Sequence, residues 1–511
     1  MVKQKVEERC SAGQMQNEMP SYSIDLHGKN RFSYAIKLHL GCKWNINFEK
    51  NTEFSNFYII LQTQKNKSNY MKTFTLGGVH PEENKFANHQ IVEVFPVPKI
   101  ATVFIHQNLG ASPVCQVKKG DTVKIGTLLA KAESFICANI HSPVSGKVIQ
   151  IDDIADSSHF KKTAVVIETE GDEWETRIDR SPEIVKEIKL NKQEIVQRIK
   201  DCGVVGLGGA CFPTHVKYML PEGKTAEYLL INAAECEPYI TVDHRIMLEK
   251  AEECLVGINA LMIASGAKKA KIGIENNKKD AIKHLTEVAG QYPDIEVVPL
   301  YVKYPQGAEK QLIKALINRE VPDGQLPIVV GAIVNNITTC FAVYEAIQKN
   351  KPLIETYLTV TGKKVENPKN FKVRIGTPIM DILNNGGIPE NTGKLIAGGP
   401  MMGAAVSNMN FFAKKGLTSL LLLDENESKR ADVEPCIRCG KCNYGCPQGL
   451  EPYLLSALSF NNRFEECEVH GVLNCCECGS CAFSCPANRY LLDYIRLAKN
   501  KVMAAKRAKN G

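Results

Sequence analysis

No apolar run in the 511 residues reaches the ~18 that a membrane-spanning helix needs, so no transmembrane segment is expected. The N-terminus is polar and lacks the apolar stretch of a secretory signal. Charge of one sign is also scarce. The balance of 63 Lys and Arg against 56 Asp and Glu leaves +7, too little at this length to argue for nucleic acid, and no such partner is expected. These absences place the chain in the cytoplasm or, through partners, on the cytoplasmic face of a membrane. A composition 44% hydrophobic and 23% charged is globular, and the chain is too long for one core.

Cysteine is abundant, with 19 residues, ten of them between Cys436 and Cys485. A secreted disulfide scaffold would be shorter and would spread its cysteines more evenly. Clustering points to metal ligation in a reducing compartment.

Residues 1–70 read as an extension of uncertain role, with one candidate strand in "FSNFYIILQT". The texture changes at Met71, in "MKTFTLGGVHPEENK". Short β-branched runs follow over residues 100–167, with turn signals at Gly120-Asp121 and Ser145-Gly146, and predict a small β module. From about 184, helical and strand patterns alternate. "PEIVKEIKLNKQEIVQRIKDCG" reads as a helix ending on Gly203, "EYLLINAAE" as a buried strand, and "RIMLEKAEECLVGINALMIASG" as a helix with a glycine stop. This is the alternation of a layered α/β domain. Residues 355–408 predict a small α+β module. The segment 496–511 carries six basic residues and no acid, and reads as a solvated tail.

Two copies of one cysteine pattern stand out: Cys436-x2-Cys439-x2-Cys442-x3-Cys446-Pro447, and Cys475-x2-Cys478-x2-Cys481-x3-Cys485-Pro486. In a ferredoxin-type run, three cysteines wrap one [4Fe–4S] cubane and the fourth, before proline, reaches the neighbouring one. The expected ligand sets are Cys436, Cys439, Cys442 with Cys485, and Cys475, Cys478, Cys481 with Cys446. Cys476 breaks the repeat and is read as a bystander thiol. Structural zinc would pair two cysteine knuckles across a longer gap, and two complete copies with terminal Cys-Pro argue against it.

Two further stretches sit where ligands bind. "GVVGLGGACFPTHVKY", residues 203–218, is a glycine-rich loop that, if it opens a helix, can present backbone N–H groups to a phosphate, with Lys217 to neutralise it. "INAAECEPYITVDHR", residues 231–245, follows a buried strand and places Asn232, Glu235 and Glu237 at its end. Plain turns and a solvated acidic loop are the competing readings.

"GLGGACFPT", "NAAECEPY", "YPQGAEKQLI" and the paired cysteine motifs, in this order, resemble the C subunits of Rnf ion-translocating electron-transport complexes. The α/β part is also similar to the NADH-binding flavoprotein subunit of respiratory complex I. The resemblance spans about residues 71–495. It implies a multidomain α/β plus α+β fold: a lipoyl-like barrel-sandwich over 71–183, a complex I flavoprotein-like FMN/NADH α/β domain over 184–350, a β-grasp module over 351–424, and a two-cluster ferredoxin-like helical domain over 425–495. Matched positions imply FMN contacts at Gly206, Gly208, Gly209, Lys217, Asn232, Glu235, Cys236 and Asn336. They imply NADH contacts at Phe212, Glu237 and Glu309. Cys211 stands where the family has glycine, and Cys236 where the complex I protein has serine. In the first module "HSPVSGKV" resembles a biotinyl or lipoyl hairpin, but "KAESFICANI" replaces the lysine hairpin. That module is read as structural or docking.

The resemblance further implies an electron-input subunit on the cytoplasmic membrane face. NADH reduces FMN by hydride, and single electrons pass through two [4Fe–4S] clusters to membrane partner subunits and to or from ferredoxin, coupled to Na⁺ or H⁺ movement. No side chain need act as an acid or nucleophile. A microcompartment cobalamin reductase and a flavin-free iron–sulfur adaptor are the alternatives.

Overall fold

The computed structural model describes residues 45–49, 58–62, 71–221 and 223–510. The chain forms two compact units, Met1–Tyr70 and Met71–Gly511. In the first, strand Asn45–Glu49 pairs antiparallel with Tyr58–Gln62, within "FSNFYIILQT".

In the second unit, β-branched residues come first and build a barrel-sandwich. One sheet runs Ile100–Phe104, Lys161–Thr169, Gly146–Ala155, Thr122–Val123, and the other Val114–Cys115, Leu128–Lys131, Ile140–His141. Val103, Val123, Ile140, Val148, Val165 and Ile167 fill the space between. Gly146 has φ 145° and a Cβ there would lie 1.9 Å from the Glu168 carbonyl oxygen, so only glycine fits.

The α/β domain is organised by strand Tyr228–Asn232. Leu229 and Ile231 pack toward helices Ala251–Ser265 and Ile337–Lys349, whereas Leu230 packs toward helix Glu309–Ile317. Both faces of this strand are covered, and each such side chain stabilises the layer by roughly 1.5–3 kcal/mol. The parallel sheet runs Ile295–Leu300, Lys269–Glu275, Tyr228–Asn232, Ala332–Asn336. The chain moves outward in one direction, then returns to the other side of its first strand. That reversal opens a crevice at the strand ends, where Asn232 and Asn336 lie side by side in register.

Two helices differ from the sequence reading. The helix expected from Pro182 begins at Lys192, because Asn191 caps it. Its side chain accepts from the Gln193 and Glu194 amides, and Glu194 bonds back to the Asn191 amide. The long helix expected over 245–266 is two, Val242–Glu249 and Ala251–Ser265. Lys250, at φ −133°, breaks it, and Gly266 ends it at φ 73°.

A six-stranded mixed sheet comes next, ordered Ala404–Ala405, Thr392–Ala397, Ser419–Asp424, Glu355–Thr361, Lys369–Arg374, Val92–Val94. Helix Ile379–Gly386 closes its core through Ile379, Ile382 and Leu383. The edge strand Val92–Val94 comes from the segment before the barrel-sandwich. The last module packs helices Pro452–Phe460, Phe464–Val469 and Leu491–Asn510 around Leu455, Leu458, Ile495 and Val502. The basic segment from 496 is the continuation of that last helix, and its lysines are not all solvated. Lys499 Nζ donates to the Cys475 carbonyl (2.7 Å) and to Glu477 (2.9 Å), and Arg496 pairs with Glu477 (3.1 Å). Among the described residues, no helix is long and apolar enough to cross a membrane.

Candidate functional site

The glycine-rich loop crosses the end of the crevice. The Gly206 amide donates to the Phe212 carbonyl (2.9 Å), closing the loop on itself. Gly208 and Gly209 are exposed, and a Cβ on Gly208 would lie 2.7 Å from the Asn336 side chain. Gly209 has open space instead. Cys211, where the resemblance expects glycine, keeps a glycine-like φ of 52°. The loop leads into a five-residue 3-10 turn, Thr214–Tyr218, and not into the helix expected to add its dipole. A phosphate placed there would meet loop amides and nearby charge, with no helix dipole to add to them. Lys217 is near, but its Nζ donates to the Val334 carbonyl (2.6 Å), and burial lowers its pKa against the opposing pull of Glu309.

Asn336 caps the next helix. Its Oδ1 accepts from the Thr338 amide (2.8 Å), and its Nδ2 donates to Asp243 (2.6 Å). Asp243 also accepts from Thr338 Oγ1 (2.6 Å), and its amide donates to Glu235 Oε1 (2.6 Å). One part-buried network thus joins the end of strand Ala332–Asn336 to the acidic loop that follows Asn232.

The acidic loop after Asn232 is wound around an ammonium. Lys85 Nζ donates to the carbonyls of Glu235 (2.8 Å), Glu237 (2.9 Å) and Ile240 (2.6 Å), and lies 3.9 Å from Glu235 Oε2. Left-handed φ values of 49° at Glu235 and 69° at Tyr239 accompany this winding. Glu235 Oε2 is buried with no hydrogen-bond partner among the described residues. Burial raises the pKa of Glu235, while Lys85 opposes the shift. Such an under-satisfied oxygen beside an open glycine loop fits a polar ligand such as a flavin nucleotide. Glu237 faces another way. Its carboxylate accepts from the amides of Met401 (3.1 Å) and Met402 (2.8 Å) in the β-grasp module, and burial raises its pKa to about 7.

The "YPQGAEK" turn completes the crevice. Asn232 Nδ2 donates to the Gly307 carbonyl (2.8 Å), and the Gly307 amide donates to Cys236 Sγ (3.3 Å). Glu309 is exposed at the first position of its helix. A cavity of about 230 Å³ adjoins, lined by His80, Lys85, Cys236, Glu275, Lys303 and Tyr304.

Tyr304 ties the crevice to the cysteine motifs. Its hydroxyl donates to the Cys478 carbonyl (2.8 Å), and its ring packs with Val79, Cys236, Met401 and Cys476. Gly77 and Gly78 thread between. The Gly78 amide donates to the Gly445 carbonyl (3.1 Å), and a Cβ on Gly77 would lie 2.3 Å from the Cys446 carbonyl oxygen.

The two motifs share one backbone course. Arg438 and Glu477 (φ 57° and 58°), Gly440 and Gly479 (72° and 78°), and Gly449 and Asn488 (66° and 51°) are left-handed at equivalent positions. Cys475, Cys478 and Cys481 line one small cavity together with Cys446 from the other motif, walled by Leu455 and Ile495. This donor set, soft thiols in an apolar wall, fits an iron–sulfur cluster. Cys476 lines it too, at the place equivalent to exposed Ile437. Of the other set, Cys442 and Cys485 pack in the module core while Cys436 and Cys439 are exposed. Among the described residues, no three Cys, His, Asp or Glu groups are gathered tightly enough for a single metal ion.

Lys85, Asp243, Tyr304 and the 401–402 amides were not singled out from the sequence. Lys85, Tyr304 and the 401–402 amides act across modules, and Asp243 reaches Asn336 and Thr338 more than ninety positions on, so none leaves a spacing signal.

Three family models match parts of this chain. Residues 72–172 match the RnfC barrel sandwich hybrid domain, 199–345 the Nuo51 FMN-binding domain, and 357–405 the SLBB domain. The chain is 42% identical to the C subunit of the proton-translocating ferredoxin:NAD(+) oxidoreductase complex of Clostridium ljungdahlii, over 85% of this chain and 95% of that protein. It is 39% identical to the Na(+)-translocating counterpart of Acetobacterium woodii, over 85% and 98%. It is 38% identical to the C subunit of the ion-translocating oxidoreductase complex of Rhodobacter capsulatus, over 84% of each. The chain belongs to the family of C subunits of ion-translocating ferredoxin:NAD(+) oxidoreductase complexes.

Proposed function

We propose that this chain is the peripheral electron-input subunit of such a complex, on the cytoplasmic membrane face, working with NADH, FMN and two [4Fe–4S] clusters. The observation that supports it most is the Tyr304 junction, which seats the thiol set of Cys446, Cys475, Cys478 and Cys481 against the crevice. FMN held there would supply a hydride acceptor for NADH and a donor of single electrons.

The chain's own residues position and tune. Gly208 and Gly209 leave their stretch of the loop open to the flavin, while the Gly206 amide, bonded to the Phe212 carbonyl, sets the loop's shape. Asn232, Glu235, Cys236 and Asn336 would hold it at the strand ends, with the Lys217 ammonium near the same end of the sheet. Phe212, Glu237 and Glu309 are assigned to the nucleotide side, with Glu237 holding the β-grasp loop over the entrance. Cys436, Cys439, Cys442 and Cys485 form the outer set. Its exposed cysteines mark the exit toward partner subunits and, through them, ferredoxin, with coupling to Na⁺ or H⁺ movement. Cys476 stays outside both sets.

The test is composition. Anaerobically reconstituted protein is expected to hold about one FMN and about eight irons per chain. Iron without any flavin would favour the adaptor alternative and refute this reading.

A further inference from the structure

Lys415 is a lysine almost entirely removed from solvent, 1% exposed, at the meeting point of three modules. It lies in the β-grasp segment before strand Ser419–Asp424. Its Nζ donates to the carbonyl of Asn139 (2.8 Å) in the barrel-sandwich and of Gly203 (2.7 Å) at the stem of the glycine loop. Its amide donates to Gln107 Oε1 (2.9 Å), again in the barrel-sandwich. Among the described residues, no carboxylate pairs with it. The ionisable groups near it are the thiols of Cys211, Cys137 and Cys202 and the buried imidazole of His141, none of them a carboxylate, and burial draws its pKa down to about 7. Buried charges are ordinarily paired, so an ammonium held only by carbonyls lacks a counter-ion.

The same spot holds both ends of the glycine loop. Gly203 has φ 62°, and a Cβ there would strike the Asn139 carbonyl oxygen at 2.2 Å. At the other end the Leu109 amide donates to the Cys211 carbonyl (3.1 Å), and a Cβ on Gly416 would lie 2.2 Å from Cys211 Sγ. The barrel-sandwich and the β-grasp segment thus form the frame in which the loop is strung. That gives the first module a task without any carrier lysine.

We propose that Lys415 is a positioning residue for the phosphate end of the flavin nucleotide: it fastens the stem of loop 203–212 to both flanking modules, and the phosphate supplies the negative charge that its ammonium lacks. The proposal rests on the flavin reading above. Lys415 need not touch the phosphate, because a charge in a dry interior acts over several ångströms.

The experiment titrates flavin-stripped, cluster-reconstituted full-length protein with FMN and with riboflavin, which has no phosphate. In Lys415→Met, FMN affinity is expected to fall by about tenfold or more while riboflavin affinity changes by less than about threefold. Lys415→Arg, which keeps the charge, should preserve most of the preference for FMN. Equal loss for both ligands would mean a purely architectural lysine and overturn the proposal, as would an unchanged preference for FMN. If Lys415→Met does not fold, the native chain decides by hydrogen exchange. FMN must protect residues 203–212 and 414–416 more than riboflavin does, and equal protection overturns the proposal. Native protein that binds neither flavin would refute the flavin reading itself, a result distinct from a lost preference.

Discussion

Replacing Lys85 by methionine should unravel the acidic loop while leaving the sheet beneath it intact. The side chain gives three hydrogen bonds to carbonyls and faces the Glu235 carboxylate. Charged hydrogen bonds contribute about 1.5–3 kcal/mol each, and stripping one partner from a buried pair costs about 3–5 kcal/mol. These losses overlap and do not add. The loop can also relax by giving up its left-handed Glu235 and Tyr239, each of which costs roughly 1–2 kcal/mol to hold. The expected penalty is therefore near the low end, about 3 kcal/mol. A chain of several modules has no single unfolding energy, so the assay must be local. Hydrogen exchange of residues 235–240 should accelerate roughly a hundredfold. Lys303→Met is the control. Its ammonium has one carbonyl partner, Phe74 (3.2 Å), and lies over the Phe74 ring, so the acidic loop should not respond. Exchange in the Lys85 variant within about twofold of native would mean that the ammonium does not hold the loop.

Cys446→Ala should halve the iron content and spare the cluster of Cys436, Cys439 and Cys442, whereas Cys485→Ala should do the reverse; iron analysis with EPR decides, and loss of the same cluster in both would break the crossed assignment. Glu237, with a folded pKa raised by burial to about 7 from an ordinary 4.5, binds its proton more tightly when folded. Its contribution is therefore fullest below the ordinary value and is lost as pH rises through 7. After correction for intrinsic exchange, the loss of hydrogen-exchange protection at residues 401–403 from about pH 5.5 to about pH 8 should shrink in Glu237→Gln, and an unchanged loss would discount this carboxyl. Lys499→Met removes a cation bonded to the Cys475 carbonyl, so the adjoining cluster should become harder to reduce, by on the order of tens of millivolts in an EPR-monitored titration.

What the sequence disclosed depended on range. The spacing within each cysteine motif is local and was readable, and the structure sets Cys446 of one motif beside Cys475, Cys478 and Cys481 of the other. The alternation of strands and helices was readable for the same reason. Boundaries went astray where a side chain overrode the pattern, as Asn191 does by capping its helix ten residues late. The glycine loop was visible as a loop, but nothing local says that only a short 3-10 turn comes after it. Lys85, Lys415 and the contact of Glu237 with Met401 and Met402 join residues over a hundred positions apart. Each looks in sequence like an ordinary surface charge, and burial alone reveals its role. The basic segment from Arg496 misled in the same way, since Arg496 and Lys499 pair with Glu477, and Lys506 with Glu468, all outside the segment.

The most direct test is an anaerobic absorption and EPR spectrum of the FMN-loaded, cluster-reconstituted chain before and after NADH. Electron entry through the flavin predicts that NADH bleaches the flavin band and raises the signal of reduced clusters. Spectra unchanged by NADH, in protein whose clusters dithionite still reduces, would contradict it.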